Sequence, residues 1–213
     1  MDRIRNTDVF AAGNLLLFIG WNLFAFFGDG SAVGSVAEFG IYAASIFAVI
    51  FLCWYFLRLR PCSTVLLLVV EMGLLAHFAG AFVSVDGVRL YETDSLGMRF
   101  DKYVHLLNSF AGGALIDRFL QRGLKARPLI VAGLVMGAGA VVEITEYLAF
   151  LTVPGAGVGG YDNNMQDLVT NLAGVSLFLA FRIATDRLML KRDPAPLESR
   201  TTRSASRGWP ASP

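Results

Sequence analysis

The stretch STVLLLVVEMGLLAHFAGAFVS, residues 63–84, decides the fold. A helix crossing a bilayer core needs about 20 predominantly apolar residues at 1.5 Å rise each. This run meets that need while holding two residues that hydrocarbon rejects, Glu71 and His77. Working outward, similar runs lie near 9–28, 38–57, 102–122, 129–153 and 165–186. The expectation is an all-α fold, a six-transmembrane-helix bundle over 1–190. Residues 191–213 turn to Pro, Ser, Arg and Thr, which cannot bury a core, and are expected to form a disordered cytoplasmic tail. The first run follows Arg3 and Arg5 as a signal peptide would. It is too long for an h-region and no small-x-small cleavage site follows, so it reads as an uncleaved anchor.

Composition agrees with a membrane class. Apolar residues make up 55% of the chain and charged residues 16%, against about a quarter charged in soluble domains. A net charge of +1 offers no basic face for nucleic acid; the expected partners are membrane lipids. Cys53 and Cys62 flank one short loop and read as ordinary thiols, neither a metal site nor a disulfide framework. Nothing here sets an oligomeric state.

Lysine and arginine placement orients the bundle. Arg3 and Arg5 precede the first run, Arg58 and Arg60 follow the second, Arg118, Arg122, Lys125 and Arg127 follow the fourth, and Arg182, Arg187, Lys191 and Arg192 close the last. Loops 29–37 and 154–164 carry no basic residue, and in 85–101 Arg89 and Arg99 are outnumbered by acids. Both termini are therefore expected in the cytoplasm, as in a multi-pass protein of the bacterial inner membrane.

That orientation assigns a depth to the misplaced polar groups. Asp101 and His105 open the fourth run at its outer end, Glu143 and Glu146 lie in the outer half of the fifth, Asp167 and Asn171 begin the sixth, and His77 lies about two turns below the outer end of the third. Spacing puts each set on one helix face: Asp101, His105 and Asn108; Asp167, Asn171 and Gly174; Gly73, His77 and Gly80; Glu143, Glu146 and Tyr147. The glycines, with Gly133 and Gly137 lower in the fifth run, would let backbones approach closely. Glu71 is about 120° away from His77 around its helix and stays outside the cluster.

Each group also has an ordinary explanation. Asp101 suits an N-cap, Asp167 a first-turn complement to the helix dipole, and His105 a core histidine bonded to a carbonyl. Glu143 and Glu146 resist this: two carboxylates one turn apart, a charge at mid-helix costing about 2.5–3.5 kcal/mol on insertion scales, need a cation or a proton between them. The loop Pro154-Gly155-Ala156-Gly157-Val158-Gly159-Gly160 lacks the Lys-Ser/Thr ending and the strand of a phosphate loop and reads as a flexible mouth.

With these motifs on the page, the chain resembles the YjdF-like uncharacterised bacterial inner-membrane family. The likeness rests on His77-Phe78-Ala79-Gly80, on Phe100-Asp101-Lys102-Tyr103-Val104-His105, on Glu143-Ile144-Thr145-Glu146-Tyr147, and on Tyr161-Asp162 with Asp167-Leu168-Val169-Thr170-Asn171-Leu172-Ala173-Gly174. It covers runs three to six, a little over half the chain. A looser likeness to VanZ-like membrane proteins rests on Asp-Lys-x-x-His, a mid-span Glu and Asp-x-x-x-Asn-x-x-Gly; the arginine that family tends to carry before its last motif is missing here. Neither resemblance implies a reaction.

Three functions compete. The first is a metal-dependent hydrolase open to the outer side, with a divalent metal as cofactor and a lipid-linked or envelope substrate. Its catalytic set is Asp101, His105, Glu143, Glu146 and Asp167, and its ligands are drawn from His77, His105, Glu143, Glu146 and Asp167. Carboxylates mixed with imidazoles suit Zn, Mn or Fe. The second is a proton- or ion-coupled transporter, for which Glu71 would supply a deeper relay acid; no inverted repeat accompanies it. The third is a non-catalytic protein whose polar cluster fixes helix packing.

Overall fold

A computed structural model describes residues 5–27, 36–58, 62–120, 127–154 and 158–192. Among these, six helices carry the chain: α1 (Asn6–Phe27), α2 (Val36–Arg58), α3 (Thr64–Phe82), α4 (Phe100–Phe119), α5 (Arg127–Thr152) and α6 (Tyr161–Arg192). Three are long and apolar enough to cross a membrane, over Thr64–Ala81, Pro128–Thr152 and Tyr161–Leu188. Leu68, Leu129 and Val169 show the consequence, each more than half exposed on an outward face. Such residues suit hydrocarbon and cost free energy in water. α4, one of the six expected spans, differs by carrying Asp101, Lys102, Asp117 and Arg118; the first two are turned inward and buried. Of the tail expected over 191–213, Lys191 and Arg192 are helical and close α6, which corrects its start; the rest, from 193 onward, lies outside the described residues, as do Arg3, Arg60, Arg122, Lys125 and residues 155–157 of the glycine-rich loop.

The chain divides into two compact units, Met1–Leu179 and Ala180–Pro213. In the second, Arg182 pairs with Asp186 one turn further along α6. In the first, α3 packs against both α1 and α4. One apolar core gathers Phe18, Ile50, Val70, Leu74 and Phe78, and another gathers Val131, Val135, Val175 and Phe178. Ser63 starts α3 by accepting the Leu66 amide on its hydroxyl at 3.2 Å. α1 and α2 are joined at their ends: the Trp54 indole donates to Asp8 at 2.9 Å, and the Arg58 guanidinium lies 3.5 Å from the same carboxylate. Both cysteines are free thiols, as expected.

The α3–α4 connection corrects the expectation of a plain loop. It folds into two antiparallel hairpins, β1 (Ser84–Val85) with β2 (Val88–Arg89) and β3 (Asp94–Ser95) with β4 (Met98–Arg99), separated by a 3-10 turn over Leu90–Glu92. Asp86-Gly87 and Leu96-Gly97 hold positive φ at both central positions, as tight two-residue hairpins require.

The glycines divide into two groups. A Cβ on Gly73 would strike the Asn108 amide, one on Gly80 the Tyr91 ring, and one on Gly174 the Leu106 carbonyl, so these positions are where elements touch. Gly133 and Gly137 do not act as expected, since a Cβ there meets nothing within 4 Å. On α5 the close approach belongs to Gly139, which faces Asn171.

Candidate metal centre

Three helices of the first unit bring polar side chains to one point. α4 contributes Asp101, Lys102 and His105, α5 contributes Glu143, and α6 contributes Asn163, Asp167 and Asn171 at four-residue intervals on one face. Lys102, Glu143 and Asp167 are 3%, 2% and 1% exposed, so their charges have left water and must be answered by one another or by a ligand.

The Lys102 ammonium is surrounded by acceptors. It donates to Asp167 Oδ1 at 2.7 Å, Asn163 Oδ1 at 2.9 Å, Asp101 Oδ2 at 3.1 Å and the Asn163 carbonyl at 3.4 Å. Asp167 Oδ2 accepts from Asn163 Nδ2 at 2.7 Å. Arg99 donates to Asn163 Oδ1 at 3.1 Å and lies 3.7 Å from Asp101.

Beyond the lysine stands His105, with Nδ1 3.5 Å from Glu143 Oε1 and Nε2 3.5 Å from Asp167 Oδ1. Ligand atoms of His105, Glu143 and Asp167 all lie within 4.8 Å of one another. Among the described residues, neither carboxylate oxygen of Glu143 has a hydrogen-bond partner, although Asn164 holds the Glu143 backbone by donating to its carbonyl at 2.6 Å. Behind the trio, Ser109 donates to Asn171 Oδ1 at 2.7 Å and ties α4 to α6.

A divalent cation fits this donor set. One imidazole with two carboxylates is borderline-soft, as Zn, Mn and Fe prefer. Two orphaned oxygens on a buried Glu are acceptors short of a positive partner. As formal charges, Arg99 and Lys102 stand against Asp101, Glu143, Glu146 and Asp167, which leaves two negative charges for a divalent ion to balance. The Asp167 oxygens already accept from protein donors, yet each keeps a second lone pair.

Of the residues expected from sequence, His105, Glu143 and Asp167 come together. Asp101 reaches them only through Lys102. It is not the N-cap: α4 begins one residue earlier, the cap position falls on Arg99, and the Asp101 carboxylate turns to the Lys102 amide and ammonium. Asp167 is not in a first turn either, because α6 starts at Tyr161. Glu146, half-buried one turn from Glu143, is outside the trio. His77 is also outside it, with the Tyr91 hydroxyl on its Nδ1 and the Tyr91 ring edge-on at 5.6 Å. Glu71 stands apart from the cluster as expected, taking a 2.6 Å hydrogen bond from Asn14.

Sequence reasoning gave no role to Lys102, Asn163 or Asn164. The signal for Lys102 was present: it lies three residues before His105, hence on the same helix face. A lysine near a helix end reads as a surface cation until a second helix is known to cover it. Compared with protein-family models, with curated proteins and with solved structures, the chain matches none.

Proposed function

We propose that this chain is a multi-pass protein of the bacterial inner membrane, with both termini in the cytoplasm, that hydrolyses an ester of a lipid-linked or envelope substrate at a divalent-metal centre. The observation that carries the reading is the convergence of His105, Glu143 and Asp167, with the two Glu143 oxygens lacking a hydrogen bond among the described residues and both carboxylates nearly withdrawn from solvent. Its motifs resemble those of the YjdF-like family, and the arginine and lysine distribution supports the orientation.

The metal, when bound, supplies Lewis acidity and favours ionisation of water. The chain's own residues do the rest. His105, Glu143 and Asp167 hold the ion. Lys102 fixes the Asp167 carboxylate, and Asp101 and Asn163 fix Lys102, so that the ligands are oriented by partners behind them. Glu146, one turn beyond Glu143, takes the proton of the attacking water and returns it to the departing alcohol.

The test is equilibrium dialysis of detergent-purified protein against Zn²⁺ or Mn²⁺ with elemental analysis. One ion per chain is expected for the wild type, and none for His105→Ala or Glu143→Gln. A folded wild type that retains no metal overturns the reading.

One observation favours a second reading, a proton-coupled carrier. His105 places its two ring nitrogens at equal 3.5 Å distances from Glu143 and Asp167, as a proton-passing imidazole would. Proteoliposomes under an imposed pH gradient separate the two, since proton flux abolished by His105→Gln in metal-free protein supports the carrier alone.

A further inference from the structure

Two polar sites lie on opposite faces of α3. Glu71 and Gly73 are about 200° apart around the helix. Gly73 faces Asn108 of α4, whereas Glu71 Oε2 accepts from Asn14 Nδ2 of α1 at 2.6 Å. Glu71 therefore faces α1, and it lines a cavity on that side.

That cavity is an open cleft between α1 and α3 with a volume of about 370 Å³, walled by Phe10, Leu67 and Leu68 and carrying Asn14 and Glu71. Small-molecule sites begin at about this size. Asn14 is 2% exposed, and its amide nitrogen is committed to Glu71 and to the Phe10 carbonyl at 3.0 Å. Among the described residues its Oδ1 is buried with no partner. Among the described residues no cation pairs with Glu71 and no donor reaches its second oxygen. A carboxylate and an amide oxygen thus meet in an apolar cleft, both short of N–H groups. The ligand that corrects this brings positive charge and several donors on an apolar body. Gly13 keeps the cleft open, since a Cβ there would meet nothing within 4 Å.

We propose that the α1–α3 cleft is a binding site for a lipophilic primary amine that enters from the bilayer. The ammonium, with three donors, meets Glu71 and the Asn14 carbonyl oxygen. Its alkyl chain runs along Val9 and Leu68, which line the cleft and are 62% and 58% exposed. A part-buried carboxylate on an apolar wall attracts a matched cation more strongly than one in open water, because its surroundings screen the pair less.

The experiment is calorimetric titration of octylamine into the full-length protein in lipid nanodiscs, with empty nanodiscs subtracted. Saturable binding of one octylamine per chain is expected. Glu71→Gln weakens it at least about tenfold, and octanoate does not saturate. Gly13→Leu, which puts a side chain into the cleft at a position where a Cβ meets nothing within 4 Å and replaces a helical glycine, abolishes binding while the protein unfolds no more easily than the wild type. Unsaturable partitioning into the wild-type sample, undiminished affinity in Glu71→Gln or Gly13→Leu, or octanoate binding as tightly as octylamine each overturns the proposal.

Discussion

The Lys102 ammonium stands 2.7 Å from the Asp167 carboxylate, with side chains 4% and 1% exposed. Breaking a buried pair by removing one partner costs about 3–5 kcal/mol, because the remaining charge is stranded. Lys102→Met strands Asp167 without its cation and leaves Asp101 only the more distant Arg99, at 3.7 Å. Its unfolding free energy, measured in detergent, should fall by about that amount. Combining it with Asp167→Asn should recover part of the loss; strict additivity of the two single losses would show that the pair is not coupled.

The metal-binding trio can be separated from its neighbours. Glu146→Gln and His77→Gln remove groups outside the three ligands, so dialysis should find ion affinity reduced by less than about tenfold. Glu146→Gln should nevertheless lose ester hydrolysis, since the proton has no acceptor. Loss of the ion itself in Glu146→Gln would move the ligand set one turn along α5.

Glycine positions that look alike in sequence should respond oppositely. Gly174→Ala drives a methyl into the Leu106 carbonyl and should cost about 1–3 kcal/mol. Gly133→Ala meets open space and should stabilise α5 by about 0.5–1 kcal/mol. Thermal unfolding of the two variants side by side checks both signs.

Asp8 gives a pH dependence at the end of α1. The Trp54 indole donating to its carboxylate, and then the Arg5 amide, hold its pKa below the ordinary value. A depressed carboxyl contributes stability above its unfolded pKa and loses it as pH falls through the folded one. Trp54→Phe should therefore be less stable than wild type above the ordinary Asp value of about 3.9. The difference attributable to Asp8 should disappear in stronger acid, once the carboxyl is protonated in both states. A pH series of denaturant midpoints measures it.

Helices were legible from sequence because apolar runs of spanning length admit few alternatives. α1 to α6 fall on the six runs, and three of them have the length and apolarity to cross a membrane. The fold's small strands were less legible, yet Asp86-Gly87 carried the signal of a tight hairpin and was passed over because two-residue strands have no periodicity to read. In the centre, His105, Glu143 and Asp167 were readable as ionisable groups in apolar surroundings. Lys102 was not, because whether a helix-end lysine is solvated depends on what the other helices cover. Gly139 and Gly133 show the same limit: small residues mark where helices can touch, and only the packing angle decides which of them do.

Where Gly174 of α6 meets the Leu106 carbonyl of α4, no side chain stands between the two backbones. The Ser109–Asn171 and Lys102–Asp167 bonds join the same two helices on the Asp167 side of that contact. Asp167 lies seven residues, about 10 Å along the helix, from Gly174. The seating of its carboxylate against α4 therefore depends on a neighbouring position that has no side chain at all.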